Sequence, residues 1–459
     1  MGRLFGTSGV RGVVGKDVTP ELAMELGFSV ATQLHNAGTV VVGRDTRTTS
    51  EMLENCLISG LLSGGCDVKR LGVVPTSAVS FATCAQKAKA GVMVTASHNP
   101  PEYNGFKLFD SSGMSYMPQL EGKVESIFFG KLWTGKPWNE IGKVEELEVL
   151  PAYLKVLAAA VKVAPGYKVV VDCGNGAGSA VTPPLLKELG CKVKLLNCRP
   201  DGTFPGRHPE PSPENLKELC RLVRSTHADL GIAHDGDADR VVIVDETGEV
   251  VKGDEVLALM AAHMMEGNGR PIVTTVDASG AVDEFVKGRG GKLARTKVGD
   301  VSVAVEIKRR DAVFGGEPSG AWIFPDINIA PDGPLGAAKV LELLSASGKT
   351  MSQLLDALPE YHTAREKVSC KEARKSVIMG EATRRLRKEF GRGAAILKMD
   401  GVRLDFDGGW LLVRPSGTEP YIRVTAEGRT PDQAKDIVKR TVKLLKKSRR
   451  RGRWIFRRR

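Results

Sequence analysis

The stretch Thr95-Ala-Ser-His-Asn-Pro-Pro-Glu-Tyr-Asn-Gly-Phe-Lys107 sets a hydroxyl, an imidazole and an ammonium among turn-forming residues, directly after the apolar run Gly91–Val94. Past the end of a buried strand the backbone turns away and a side chain can face a cleft. Ser97 is the candidate reacting group, although a turn serine ahead of Asn99-Pro100 has the same signature. A hydrolase serine needs a base, and no G-x-S-x-G elbow is present here. His98 is the immediate neighbour, but adjacent side chains on an extended segment point to opposite faces, so His98 is expected not to deprotonate Ser97. A hydroxyl that carries a phosphoryl group has other needs: cations nearby, donors for the phosphate oxygens and a metal to spread charge.

The segment "GIAHDGDADRVVIVD" places Asp235, Asp237 and Asp239 at alternate positions of a Gly-bearing loop between apolar runs. Three converging carboxylates repel unless a hard cation sits between them, and oxygen-only ligation favours Mg²⁺. An EF-hand requires Gly where this chain has Arg240, followed by the β-like run Val241–Val244, so that reading is rejected. An acidic surface turn is the remaining alternative. In "FGGEPSGAWIF" (314–324), Glu317 and Ser319 offer a carboxylate and a hydroxyl suited to vicinal sugar hydroxyls, a pattern that an ordinary turn shares. In "VRPSGTEPYIRV" (413–424), Arg414, Ser416, Gly417, Thr418 and Arg423 combine guanidinium, hydroxyl and backbone N–H donors matched to a phosphate dianion. A hairpin with exposed arginines is the alternative there. That site has no obvious acid or base, so it is expected to hold substrate without reacting with it.

These loops need strands to carry them. Short β-branched runs alternate with helix-length amphipathic segments, which reads as α/β with parallel or mixed sheets. Three runs echo one another, "TVVVGRDTRTTS" (39–50), "KVVVDCGNGAGS" (168–179) and "PIVTTVDASG" (271–280). Each is a buried strand that ends in an acid and small residues before a helix, which suggests three similar α/β units. Seams are expected near 130–142, at 245–255 and near 358–367. Residues 368–445 read as a separate α+β unit with strands around "AAILKMDGVRLDF" and "GWLLVRPSGTEPYIRVTAE" and a final amphipathic helix. The expected organisation is 1–150, 151–250, 251–363 and 364–445, followed by a tail over 446–459.

At 459 residues the chain is long enough for several domains, and 42% hydrophobic with 26% charged residues excludes a disordered or fibrous class. No apolar run reaches the roughly 18 residues of a membrane span, and the N-terminus has no apolar signal core, which predicts a cytoplasmic protein without membrane contact. Eight scattered cysteines with no C-x-x-C pair read as reduced, buried fillers and not a disulfide framework or zinc ribbon. The net charge of +12 is located in "KKSRRRGRWIFRRR" (446–459), whose nine Lys and Arg leave only +3 for the rest. That is a tail property and is expected to be a solvated extension, with weak nucleic-acid contact at most.

The ordered set "FGTSGVRG", "TASHNPPEYNGFK", "DGDADR", "GGEPSG" and "RPSGTEPYIRV", spread over residues 5–424, resembles the α-D-phosphohexomutase superfamily of phosphoglucomutases, phosphomannomutases and phosphoglucosamine mutases. The resemblance implies three similar α/β domains and a C-terminal α+β domain around a central cleft, with one motif from each. It implies that Ser97 is a phosphoserine, that Asp235, Asp237 and Asp239 hold one Mg²⁺ together with it, and that Arg11 and Lys107 act in acid/base work with His98 beside the phosphate. It assigns Glu317 and Ser319 to sugar hydroxyls, Arg414, Ser416, Gly417, Thr418 and Arg423 to the distal phosphate, and Lys297, Gly299 and Asp300 of "KVGD" to a further sugar turn, with Arg240 completing the metal motif. The implied reaction moves phosphate between O6 and O1 of a hexose through a hexose 1,6-bisphosphate, which is intermediate and activator, in a monomer or dimer. Ala321-Trp322 and Asp300 depart from histidines common in the family and bear on the choice of sugar. The opening motif and the phosphate loop are most similar to the phosphoglucosamine mutase branch, including its archaeal members, which implies glucosamine 6-phosphate and glucosamine 1-phosphate as substrates. A phosphomannomutase/phosphoglucomutase is the alternative. A metal-dependent phosphatase would share Ser97 and the carboxylates but has no use for the Arg414–Arg423 anchor.

Overall fold

A computed structural model describes residues 3–6, 9–391, 394–416 and 420–455. By contact the chain divides into two units, one of Met1–Ile272 with Gly299–Asp356 and one of Val273–Val298 with Ala357–Arg459. In the first unit, six strands, β1 (Val10–Val13), β2 (Thr39–Arg44), β3 (Asp67–Val73), β4 (Ala90–Val94), β5 (Tyr103–Asp110) and β6 (Val144–Glu146), form a sheet in the order β1-β5-β4-β2-β3-β6. Pairs β2–β4, β2–β3 and β3–β6 are parallel, whereas β4–β5 and β1–β5 are antiparallel. The five residues of β4 are all buried, as expected for a central strand covered on both faces by helices. Helix Pro20–Gln33 opens with Pro at its first turn and Thr19 as its cap, whose hydroxyl accepts from the Leu22 N–H. It packs with helix Ser50–Ser63 over a core that includes Leu26, Val30, Leu53, Leu57, Val40 and Val92.

The stretch expected as a seam at 130–142 folds back on this sheet. Trp133 stacks against Phe28 with ring centroids 6.3 Å apart, the Lys136 and Gly142 N–H groups donate to Ser63 and Leu62 carbonyls, and β6 then joins the edge at β3. The aromatic and glycine content that suggested a linker serves a wrap around the first sheet.

A second sheet follows in the order β10-β9-β7-β8, built from β7 (Lys168–Asp172), β8 (Lys192–Leu196), β9 (Leu230–Ala233) and β10 (Val242–Val244). β7 is parallel to both β8 and β9, and β10 returns antiparallel to β9. The third echoed run forms β11 (Ile272–Thr275), next to β12 (Leu293–Thr296), and the first unit also contains the antiparallel pair β13 (Phe314–Gly316) and β14 (Trp322–Ile323).

In the second unit, β15 (His362–Ser369), β16 (Ala395–Leu397), β17 (Val402–Phe406), β18 (Gly409–Pro415) and β19 (Tyr421–Gly428) form an antiparallel sheet ordered β15-β19-β18-β17-β16. The expected seam near 358–367 therefore includes most of an edge strand. Three mixed α/β regions and a C-terminal α+β region agree with the fold class expected from sequence. Buried Glu427 ties this unit together by accepting from Trp410 Nε1, Ser279 Oγ and the Gly280 N–H. The last helix runs Pro431–Ile455, so the backbone does not break at 445. The side chains of 447–459, most of the expected basic tail, lie outside the description, as do Gly417 and Thr418.

Five cysteines are buried as expected, but Cys84 is exposed and Cys56 and Cys198 are half-buried. Helix Thr76–Ala85 turns Cys84 outward because the face carrying Ala78, Val79, Ala82 and Thr83 is the one that meets the core.

Candidate active site

Ser97 sits in the turn between β4 and β5 with φ of +54°, in the left-handed region, and is almost completely buried. The side chain of Ser97 can therefore reach two partners at once. Its Oγ donates to Asp235 Oδ2 at 2.6 Å and lies 3.1 Å from His98 Nδ1. The expectation that His98 and Ser97 point to opposite faces fails, because it assumed an extended backbone and the turn is left-handed at Ser97. Burial, then the Arg240 and Arg11 charges, push the His98 imidazole down to about 3, so it is neutral at ordinary pH, and with the Ser97 hydrogen directed at Asp235 the tautomer carrying Nδ1–H donates to Oγ.

A strained turn needs something to hold it. Fully buried Arg47, just past β2, donates to four main-chain carbonyls of this loop and the start of β5: Ser97 (2.8 Å), Asn99 (2.7 Å), Pro100 (2.6 Å) and Tyr103 (2.9 Å). Its Nε donates to Asp45 Oδ2 at 3.0 Å, and Asp45 also accepts from Thr95 Oγ1 and Ser50 Oγ. Arg47 was visible in the echoed run "GRDTR", but nothing in the sequence says that its partners lie about fifty residues away.

Asp235, Asp237 and Asp239 come from the loop between β9 and β10, all three buried, with candidate ligand oxygens within 4.8 Å of one another. Lys107, on β5, donates to Asp237 Oδ2 at 2.6 Å and to Asp239 Oδ2. Thr76, at the start of its helix, donates its hydroxyl to Asp237 Oδ2 and its N–H to the Asp237 carbonyl. Burial works against the Lys107 ammonium, but Asp237 and Asp239 outweigh it and hold its proton more tightly than usual. Burial and mutual repulsion push Asp235 up, whereas Lys107 overcomes burial and draws Asp237 down. Asp237 Oδ1 and Asp239 Oδ1 are buried and accept no hydrogen bond, a costly arrangement for carboxylate oxygens. Two orphaned anionic oxygens beside Asp235 fit a hard divalent cation.

Neighbouring loops approach this one so closely that side chains are excluded. A Cβ on Gly236 would lie 2.5 Å from the Ser97 carbonyl oxygen, and one on Gly320, which has φ of +87°, would lie 2.1 Å from the Val241 carbonyl oxygen. The loop carrying Glu317 and Ser319 is thus docked on the metal loop. Glu317 Oε1 accepts from the Gly299 N–H at 2.7 Å, and Ser319 Oγ donates to Glu317 Oε2 at 3.4 Å. Asp300 starts helix Asp300–Arg310, and its carboxylate accepts from Ser115 Oγ at 3.2 Å. Arg11, on β1 opposite Gly105, donates to Asn99 Oδ1, and its buried Nε has no hydrogen-bond partner. Arg240 is 3.7 Å from Glu210, which is also 3.6 Å from His98 Nε2. Glu210 went unnoticed in "RHPEPSPEN", where it looks like any exposed loop acid.

The second unit holds Lys297, Arg414, Ser416 and Arg423. Arg414 on β18 pairs in register with Arg423 on β19, which pairs with Lys367 on β15. Three cations in one cross-strand row repel, and a bound anion would offset that repulsion. Arg414 Nε is paired with Asp400 at 2.7 Å, and Lys375 Nζ donates to the Ser416 carbonyl. Lys367 was missed because it lies on a strand remote from the motif.

Comparison with known proteins identifies all four regions. The chain matches the phosphoglucomutase/phosphomannomutase alpha/beta/alpha domains I, II and III over residues 2–134, 151–248 and 252–361, and the C-terminal domain of that family over 366–444. It is 50% identical over 440 residues, 96% of this chain and 97% of the relative, to a probable phosphoglucosamine mutase of Methanothermobacter thermautotrophicus. It is 43% identical over 457 residues, 98% and 99% of the two chains, to a phosphoglucomutase/phosphomannomutase of Thermococcus kodakarensis. A crystal structure of a phosphoglucomutase/phosphomannomutase family protein from Burkholderia thailandensis superposes with a TM-score of 0.87 at 28% identity, covering 96% of this chain and 97% of that one.

Proposed function

As a member of the phosphoglucomutase/phosphomannomutase family, the chain is a phosphosugar mutase, an intramolecular phosphotransferase, and we propose that it interconverts glucosamine 6-phosphate and glucosamine 1-phosphate through a phosphorylated Ser97. The observation that carries this reading is Ser97 Oγ at 2.6 Å from Asp235, beside the two orphaned oxygens of Asp237 and Asp239. Asp235, Asp237 and Asp239 would hold Mg²⁺ with an oxygen of the Ser97 phosphate, and the ion would supply charge neutralisation to the phosphoryl group.

In the forward half-reaction a sugar hydroxyl attacks the phosphorus on Ser97. The new P–O bond forms as the P–Oγ bond breaks, and the hydroxyl proton leaves to the protein. The Ser97 oxygen takes up a proton in turn. The resulting 1,6-bisphosphate turns over and returns its other phosphate to Ser97. Lys107, charged and buried beside the carboxylates, and Arg11, with an unengaged buried N–H, offset the charge carried between oxygens and serve the proton exchange. Neutral His98 orients Ser97 Oγ. Glu317 and Ser319 take sugar hydroxyls, with Gly299, Asp300 and Lys297 as a second turn around the ring. Arg414, Ser416, Gly417, Thr418 and Arg423, joined by Lys367, grip the phosphate that does not react. Arg240 spans the acidic loop and Glu210. We place the enzyme in the cytoplasm. Among the described residues no helix is long and apolar enough to cross a membrane.

The test is a panel of glucosamine, glucose and mannose phosphates under matched bisphosphate activator and Mg²⁺. Glucosamine phosphates are expected to have the highest kcat/KM. A tenfold preference for mannose 6-phosphate, about 1.4 kcal/mol, decides for the reading carried by the name of the Thermococcus kodakarensis relative.

A further inference from the structure

Cys173 and Cys198 play no part in the proposed chemistry, yet they are the end of one strand's turn and the end of its neighbour's. β7 and β8 run parallel with Asp172 in register with Leu196, and the Cys173 N–H donates to the Leu196 carbonyl at 3.2 Å. Asn197 then takes φ of +50°, which swings the chain so that Cys198 returns toward Cys173. The two sulfurs lie 2.8 Å apart. The Cys198 S–H also has the Leu196 and Val171 carbonyls within 3.2 and 3.4 Å, so three acceptors compete for one hydrogen.

We propose that Cys173 and Cys198 are a dithiol that closes to an intrachain disulfide in response to a disulfide oxidant. The two thiols are unlike in access. Cys198 is half-buried and open to a small oxidant, whereas Cys173 is fully buried and has Cys198 as its sulfur neighbour. They are also unlike in acidity. The close sulfur contact with Cys173 lowers Cys198 against the opposing effect of burial, while burial raises Cys173. Cys198 is thus the attacking thiolate and Cys173 the resolving thiol. The Cys198 thiolate attacks one sulfur of glutathione disulfide, forming a mixed disulfide and releasing one glutathione thiolate. Cys173 then loses its proton and attacks the Cys198 sulfur, expelling the second glutathione thiolate. Two protein thiols are oxidised by two electrons, and one external disulfide is reduced to two thiols.

The cross-link would sit at the root of the loop that backs the metal-binding turn. The Cys173 carbonyl accepts from the Gly176 N–H, and the next residue, Ala177, donates to the Gly236 carbonyl at 2.9 Å. Tying the ends of β7 and β8 removes freedom from the unfolded chain over the segment between them, so the oxidised protein should melt a few degrees higher.

The experiment treats the full chain with glutathione disulfide or with dithiothreitol, quenches in acid, unfolds it, alkylates free thiols and measures intact mass and cysteine peptides. The reduced protein is expected to take eight tags and the oxidised protein six, with one linked peptide pair containing Cys173 and Cys198 that dithiothreitol separates. In Cys198→Ser, a near-isosteric change at a half-buried position, the loss of two tags should disappear. Eight tags after oxidation, a glutathione adduct that persists on Cys198, linkage through any other cysteine, or loss of two tags that survives Cys198→Ser each overturns the proposal.

Discussion

The Ser97 loop and the Asp235–Asp239 loop are built on one plan and held by different means. Each follows a fully buried strand, β4 or β9, whose parallel neighbour carries an acid at its end, Asp45 just past β2 and Asp172 as the last residue of β7. Each acid pairs with a buried arginine, Asp45 with Arg47 and Asp172 with Arg207. Each arginine donates to the carbonyl that opens the functional turn, Ser97 at 2.8 Å and His234 at 2.6 Å. In the other unit Arg295 likewise donates to the Thr275, Ala278 and Ser279 carbonyls at and just past the end of β11, but the acid it pairs with, Asp283, lies on a helix. The difference lies in how much of the turn the arginine grips. Three of the carbonyls on Arg47 belong to the Ser97 loop and the fourth, Tyr103, opens β5 at its end, whereas of the carbonyls on Arg207 only His234 belongs to the metal loop. The metal loop has its Gly236, Asp237 and Ala238 carbonyls held one by one by the Ala177, Thr76 and Gly333 N–H groups, and adds holds on its side chains: Lys107 and Thr76 on Asp237, and His234 between Thr182 Oγ1 and the Arg240 carbonyl. A reacting oxygen must be placed to a fraction of an ångström, which main-chain anchoring provides. Carboxylates that share a cation can settle around it.

The largest effect is expected at Ser97 itself. Ser97→Ala should remove about 10³-fold or more of kcat with the melting temperature nearly unchanged, and phosphopeptide mapping should find no stable phosphate elsewhere. Stable phosphate on another residue would undo the comparison at its root. Next is Arg47. Arg47→Met should lower kcat about 10²-fold while KM for the sugar phosphate moves little, because the substrate pocket is intact and the nucleophile is misplaced. Methylguanidinium should restore part of the activity of Arg47→Ala. A pure loss of stability with no kcat effect and no rescue would make Arg47 an ordinary core residue.

Arg414→Ala provides the contrast from the phosphate row. Losing a charge-assisted bond of about 1.5–3 kcal/mol should raise KM while phosphorylation of Ser97 persists, and the reverse pattern would exchange the roles of the two sites. Arg207→Met should show its effect as metal affinity, with the Mg²⁺ concentration for half-activity rising about tenfold, or 1.4 kcal/mol, and kcat at saturating Mg²⁺ nearly retained. If Arg207→Met lowers kcat as much as Arg47→Met at saturating Mg²⁺, the two arginines do the same job.

The smallest effect concerns pH. Burial pushes His234 down to about 4 from an ordinary value near 6.5. The unfolded chain therefore takes up a proton that the folded one refuses, and stability falls as pH drops through 6.5 toward 4. Between pH 7 and pH 5.5 the His234 share amounts to about 1 kcal/mol, read by urea titration, and His234→Gln should lessen the slope by that share while the part from His98 remains.

What the sequence determined by itself was chemistry that is local in the chain. Asp235, Asp237 and Asp239 alternate within five residues and are flanked by apolar runs, so their convergence needs no knowledge of anything distant. Ser97 after a buried strand and the echo of the three buried strands were legible for the same reason. What the tertiary structure decided was every contact that closes a long loop. Whether His98 faces Ser97 depends on the left-handed backbone at Ser97, whose carbonyl accepts from Arg47 fifty residues away. The places of Thr76, Glu210 and Lys367 depend on strands and helices brought together from separate regions, and the wrap of 130–142 depends on an open edge at β3. Spacing along a chain specifies which groups share a turn. Only packing, summed over many weak apolar contacts, specifies which turns meet.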